Sequence, residues 1–540
     1  MAAWRRRTVL AGSAAWWAAG CTPQGESPSA PVSWVGASPA RGHRLRKHDA
    51  LPPVAVQHRA GALVLGGGVA GLAAARGYLQ RGVHDVHLLE LEDQPGGNSR
   101  AHQLGGMACP LGAHYLPLPG PQAREVSAWL HELGLLKQVL GRTVADERHL
   151  CHSPQERLFF EGSWVEGLLP PMEAGSAGLR QMQAFGQAVA QLRSGGAGAS
   201  RASGPAFALP AHRSAWGPLQ AALDAQTFAQ WLDARGLDDP HLRWYLDYCC
   251  RDDYGATPAE VSAWAGVHYF ASRHGFQAPG DGARGDDHEA REGVFTWPEG
   301  NAWLTQRLAA PLGERLHGGR TVLRVTQGRH AVEVLAWNEA RQHLEAWTAP
   351  QVVLALPLFI AARVVQNAPP ALREAAARLH YAPWLVANLQ LDGPLLDRPG
   401  APPSWDSVVY GARGLGYVDA MHQSLRPVAG ATVLTAYHAL PRSERAALLA
   451  DDPAPWAERV LGELRIAHPD LQRRVQYIAL QRWGHAMAIP TPGLQRHPAL
   501  RALRAHGHGP GGRLRFAHAD LAGCSVFEEA FTAGSEAALG

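Results

Sequence analysis

Gly66, Gly68 and Gly71 are spaced to wrap a backbone around an anion, since glycine lets the main chain turn tightly and approach a phosphate closely. Within Gly66-Gly67-Gly68-Val69-Ala70-Gly71, Gly66 permits the turn, Gly68 clears space for a pyrophosphate, and Gly71 lets the following helix pack on the preceding strand. The N-terminus of that helix contributes unpaired N–H donors. Further along, Val86-His87-Leu88-Leu89 runs into Glu90, whose carboxylate is placed to accept hydrogen bonds from adenosine ribose hydroxyls. An acid there, rather than a base, argues against a ribose phosphate.

The elements around the loop give it this meaning. Ala62-Leu63-Val64-Leu65 is a short apolar strand, and an Ala/Leu-rich helix follows the loop through Gln80. The same glycine spacing recurs at Gly280-Asp281-Gly282-Ala283-Arg284-Gly285, but after Pro279 and before Asp286-Asp287-His288-Glu289, with no strand ahead of it; it reads as a solvated loop. A chain of 540 residues exceeds what one hydrophobic core supports and predicts two domains sharing an interface. Its formal charge of +3, with no basic run beyond the extreme N-terminus, offers no face for nucleic acid.

After Glu90 comes Leu91-Glu92-Asp93-Gln94-Pro95-Gly96-Gly97-Asn98-Ser99-Arg100, which resembles the glycine-doublet segment of the flavin amine oxidase superfamily, a group that also holds protoporphyrinogen oxidases and phytoene-type desaturases. The resemblance extends to Phe295–Leu304 with Pro298, Glu299 and Gly300, to the strand-like Thr321–Val325, and to Val352–Pro357. At the C-terminal end it takes in Arg513–Asp520, Gly523, Glu528-Glu529-Ala530 and Ala533-Gly534.

This resemblance implies an α/β fold: a Rossmann-like FAD-binding domain of the glutathione-reductase type, interleaved with an α+β substrate-binding domain. It implies noncovalent FAD, since the cysteine used for covalent attachment lacks its local pattern. The cofactor-binding residues would be Gly66, Gly68, Gly71, Glu90, Gly96, Gly97 and Arg100, with Val325 on the strand contacting adenine. Asp520 would lie near the ribityl or diphosphate chain, and Val526 at the start of a helix, Ser525–Ala538, whose positive end faces the flavin pyrimidine. No metal-ligand spacing is present.

The expected division is an export signal at 1–21, a flexible tether at 22–58, FAD-binding segments at 59–120, 291–365 and 505–540, and substrate-domain segments at 121–290 and 366–504. Arg482-Trp483-Gly484-His485 resembles a segment running toward the flavin, so Trp483 and His485 are candidates for the pocket, or for core packing; His114 and Tyr115 are further candidates. Asp247–Gly255 gathers acids and aromatics, groups that hold a cationic amine. Many amine oxidases set a lysine against flavin N5, expected shortly after Pro357, yet Leu358–Val365 has none; the chain's lysines are Lys47 in the tether and Lys137 in an early helix.

An exported enzyme of this kind would orient a substrate C–H bond against flavin N5 and pass electrons to oxygen, a quinone or a redox protein. Oxidation of an amine C–N bond, polyamines included, leads; desaturation of a C–C bond follows, and a lipid-anchored flavoprotein without turnover remains a reading of another class. Export itself rests on Arg5-Arg6-Arg7-Thr8-Val9-Leu10, which resembles a twin-arginine signal, and on Ala18-Ala19-Gly20-Cys21, which resembles a lipoprotein site. Both imply a bacterial envelope protein anchored to the membrane by a lipid on Cys21. The other cysteines are open to disulfides or to buried free thiols.

Overall fold

Ala62–Leu65, buried along its whole length, is the central strand of a five-stranded parallel sheet in the computed structural model. The structure describes residues 30–46, 51–152, 154–195, 204–279, 293–424, 428–450, 452–508 and 512–539. Across the sheet the order is Leu316–His317, Val86–Leu89, Ala62–Leu65, Val352–Leu354 and Leu514–Phe516, every pair parallel. Helix Val69–Gln80 leaves the glycine loop and packs on the C-terminal helix Phe527–Leu539. The two touch through glycine: a Cβ on Gly534 would collide with the Ala70 carbonyl. This is the Rossmann-like unit implied by the sequence, and a four-stranded sheet of Arg320–Gln327, Val332–Asn338, His343–Ala349 and Val54–Arg59 adjoins it.

An eight-stranded mixed sheet forms the second layer system, in the order Val32–Trp34, Val475–Ile489, His380–Leu391, Thr432–Ala439, Tyr417–Asp419, Asp406–Val409, Glu156–Phe160 and Ser163–Glu166. Its segments alternate along the chain with those of the parallel sheet, so the two units are interleaved as the fold class requires. Helices Ala177–Arg193, Phe228–Asp233, Pro240–Tyr254 and Ala263–Ala271 share a core of Phe185, Phe228, Trp231 and Trp264, each at most 1% exposed.

Two expectations are corrected. The stretch read as a flexible tether is instead built into the fold wherever it is described. Val32–Trp34 pairs in parallel with Ile478–Leu480, Arg41 bonds Asp93 at 3.0 Å, and Arg44 bonds Glu339 at 3.0 Å. Its Pro and Ser content suited a linker, but Val32-Ser33-Trp34 supplies one short strand for an otherwise open sheet edge. Lys137 lies not in a helix but in strand Leu136–Val139 of a surface hairpin, 3.4 Å from Asp146. Leu140 and Gly141 both take positive φ, 49° and 77°, which makes the tight turn that converts the segment to strand. Cys21, Lys47 and the second glycine repeat, Gly280–Gly285, lie outside the described residues. No helix among the described residues is long and apolar enough to cross a membrane.

Candidate functional site

At the C-terminal edge of the parallel sheet, Gly66 has φ 102°, and a Cβ there would meet the Ala355 carbonyl oxygen; one on Gly71 would collide with the carbonyl of Gly66. These two positions admit only glycine. Glu90, 7% exposed, accepts the Gly67 N–H at 2.6 Å and the Glu92 N–H at 2.9 Å, so it locks the loop while retaining lone pairs for another donor. Burial raises its pKa, opposed by those two backbone bonds. The doublet folds onto the loop: Gly96 N–H donates to the Gly67 carbonyl at 2.7 Å, and Gly97, at φ 56°, comes so close to Gly68 that a Cβ would lie 3.1 Å from its Cα.

The residues present fit a dinucleotide. A Cβ on Gly68 would meet nothing nearer than 3.9 Å, no side chain caps helix Val69–Gln80, and its first N–H groups face the cradle between loop and doublet. Arg100, 8% exposed, bonds the Gly97 carbonyl at 3.2 Å and lies 5.4 Å from the Trp483 ring centroid. Val325 is fully buried and its carbonyl accepts from Gln366 N–H at 2.9 Å, in a strand whose start, Arg320, bonds the Glu90 carbonyl at 2.7 Å.

Asp520, fully buried in the turn Ala519–Ala522, receives the Leu358 N–H at 2.8 Å and the Tyr381 hydroxyl at 2.6 Å on Oδ2. Its Oδ1 has no described neighbour to bond but the His518 ring, whose Nδ1 lies 3.1 Å away and also accepts the Asp520 N–H at 3.1 Å. With its other lone pairs unused, that oxygen can take a ligand donor. Val526 precedes helix Phe527–Leu539 and its carbonyl accepts from Ala530 N–H at 3.3 Å; this helix begins two residues later than expected.

Trp483, His485 and His114 do not meet: among the described residues no hydrogen bond or ring contact joins them. Trp483 donates Nε1–H to the Leu111 carbonyl at 2.7 Å. His485 packs against Phe359 and Tyr381, at 4.7 and 5.9 Å between centroids. That packing, with Arg445 and Arg46 nearby, pushes its pKa down to about 4. His114 stacks on Tyr437 at 4.2 Å, and burial pushes its pKa down to about 3.

His114 sits beside a cluster of acids and aromatics. Residues 112–115 reach it from the glycine doublet, through the Ala113 N–H to the Asn98 carbonyl at 2.9 Å. Trp405 lies 5.6 Å from His114 and 6.0 Å from Tyr115, between centroids, and the Tyr115 hydroxyl donates to Asp252 at 3.2 Å. Asp406 stands beside Glu156 on paired parallel strands. Desolvation, with Asp253 adding like charge, pushes Asp252 up to about 7. Asp406 is raised well above the usual carboxylate range by desolvation and by Glu156 and Asp252. Both acids are only partly buried. Asp253 differs, being paired with Arg273 at 3.0 Å.

Asp252 and Tyr115 belong to stretches singled out in the sequence. Asp406, Glu156, Trp405 and Tyr437 carry no local signal, because sheet pairing alone brings them in. Among the described residues no cluster of three His, Cys, Asp or Glu could hold a metal ion, and Cys109, Cys151, Cys249, Cys250 and Cys524 are free thiols.

A family model for flavin containing amine oxidoreductases matches residues 69–539. A comparison with curated protein sequences returns no match. Among solved structures, a putrescine oxidase bound to putrescine aligns with TM-score 0.63 at 16% identity, over 89% of this chain and 99% of that one. Cyclohexylamine oxidase from Brevibacterium oxydans IH-35A aligns with TM-score 0.62 at 18% identity, over 89% and 98%. A fatty acid isomerase from P. acnes that produces CLA gives TM-score 0.58 at 16%, over 88% and 97%. At these identities the likeness is one of fold.

Proposed function

Since this chain belongs to the flavin-containing amine oxidoreductase family, an enzyme family whose cofactor is FAD, we propose that it oxidises a C–N bond of a cationic amine, polyamines included. The acid and aromatic cluster beside His114 carries this reading. FAD, held noncovalently between the glycine loop and the doublet, supplies a two-electron acceptor when bound.

The chain's own residues do the rest. Asp252, Asp406 and Glu156 supply negative charge to an ammonium group, and the faces of Tyr115, Trp405 and Tyr437 take its alkyl chain and attract its charge. An amine yields hydride from its neutral form, and His114 stays neutral at physiological pH. One of its ring nitrogens bonds the Gly112 carbonyl, which leaves the other to accept a hydrogen bond from the neutral amine's N–H. Trp483, anchored to Leu111, and Arg100 form the wall between cluster and cradle.

The resemblance of residues 5–10 to a twin-arginine signal and of residues 18–21 to a lipoprotein site supports export and lipid attachment at Cys21, and with them a bacterial envelope location. There, oxygen, a quinone or a redox protein takes the electrons.

The test is anaerobic mixing of purified holoprotein with mono- and diamines, apolar polyenes and porphyrinogens. Bleaching of the oxidised flavin band by amines is expected. Bleaching by polyenes or porphyrinogens alone would replace amine oxidation with C–C desaturation, and bleaching by none would leave a flavoprotein without turnover.

A further inference from the structure

A cavity of about 660 Å³ opens between helix Pro498–Ala505, the end of helix Phe527–Leu539 and the segment Ala211–Trp216, on none of the residues assigned to flavin or amine. We propose that it binds an amphipathic anion: an apolar body carrying one carboxylate, sulfonate or phosphate head. The volume is that of sites for drug-sized ligands.

Charge and shape both point to this class. Arg496, Arg501 and Arg504 line the cavity with Glu536 as the one lining acid. Glu536 is already shared among Arg504 at 3.0 Å, Arg213 at 3.3 Å and His212 at 3.1 Å, so it cannot neutralise the cluster. Arg496 donates from Nη2 to the His212 and Ser214 carbonyls, at 2.9 and 2.6 Å, and these dipoles orient the guanidinium without cancelling its charge. Arg501 is exposed, and its guanidinium makes no hydrogen bond or ion pair with another described residue. A surplus of guanidinium charge therefore faces a concavity, the arrangement that binds carboxylates and phosphates. The remaining wall is apolar: Trp216, 5.8 Å from the Arg496 guanidinium, with Leu500 and Leu521. A small hydrated anion would leave that wall unused, and an amine would be repelled.

Equilibrium dialysis of the holoprotein tests the site with two probes of one shape, anilinonaphthalene sulfonate and its uncharged analogue phenyl-naphthylamine, in wild type, Arg501→Glu and Trp216→Ala. Retained flavin absorbance and an unchanged melting temperature show that the exposed Arg501 variant is folded. The sulfonate is expected to bind wild type saturably, one per chain, and to weaken about tenfold in each variant, as loss of one charge-assisted contact in Arg501→Glu and of one large apolar contact in Trp216→Ala implies. Phenyl-naphthylamine should bind more weakly and ignore Arg501→Glu. Inorganic phosphate at the same concentration should not displace the sulfonate; displacement would mean a simple anion site. No sulfonate binding, equal affinity for both probes, or sulfonate binding unaffected by both variants would overturn the proposal.

Discussion

Gly68 is the residue where chemistry and sterics separate most cleanly. A Cβ there has 3.9 Å of clearance, so Gly68→Asp should fold, yet its carboxylate would face the pyrophosphate and repel it. The expected outcome is a protein with wild-type circular dichroism and no flavin absorbance. Asp252 gives a second prediction. With its pKa pushed up to about 7, it is charged only above that pH, while an alkylammonium stays charged to about pH 10. KM for a cationic amine should therefore rise as pH falls through 7. Asp252→Asn, which still accepts from Tyr115, should raise KM on the order of tenfold at pH 8 and flatten this dependence. At this scale the glycine turn and Glu90 were legible because each answers a local backbone demand, whereas Asp520 came from family resemblance and its partners, Leu358 and Tyr381, lie 162 and 139 residues away. Asp406 and Glu156 were not, since their meeting depends on the pairing of strands 250 residues apart.

Strands and helices place these residues through a few contacts between distant segments. The Tyr381 hydroxyl on strand His380–Leu391 meets Asp520 in the turn before the C-terminal helix, tying the large sheet to the parallel one. Tyr381→Phe removes one of the two hydrogen bonds on a buried carboxylate and should cost about 1–3 kcal/mol by denaturant titration. Ala62–Leu65 and Val86–Leu89 were readable because each short apolar run ends at glycine or acid, Val352–Leu354 and Leu514–Phe516 came from family resemblance, and the two-residue strand Leu316–His317 left no signal. Val32–Trp34 was not, because three residues bounded by Pro31 and Gly36 look like linker until their partner strand, Ile478–Leu480, is known. Deleting residues 1–46 should lower the melting temperature by several degrees, by exposing the edge of strand Val475–Ile489 and removing the Arg41 and Arg44 ion pairs.

Over the whole molecule, the proposed reaction draws on two interleaved units: the parallel sheet for the cradle and the eight-stranded sheet, with its helices, for the acids and aromatics. Their fold class follows from sequence because the cradle's motifs bracket the chain, whereas the substrate half offers little beyond the Arg482–His485 segment and is known mainly from its packing. Export can be checked independently: labelled fatty acid should be incorporated into the chain in a bacterial host and lost in Cys21→Ser. The central claim, that a flavin and an amine meet between cradle and cluster, is tested most directly by anaerobic titration of the holoprotein with a short diamine. Saturable bleaching of the flavin band is predicted, with the half-saturation concentration raised about tenfold in Asp252→Asn. A flavin band that stays oxidised at every diamine concentration, or a variant that bleaches identically to wild type, would contradict it.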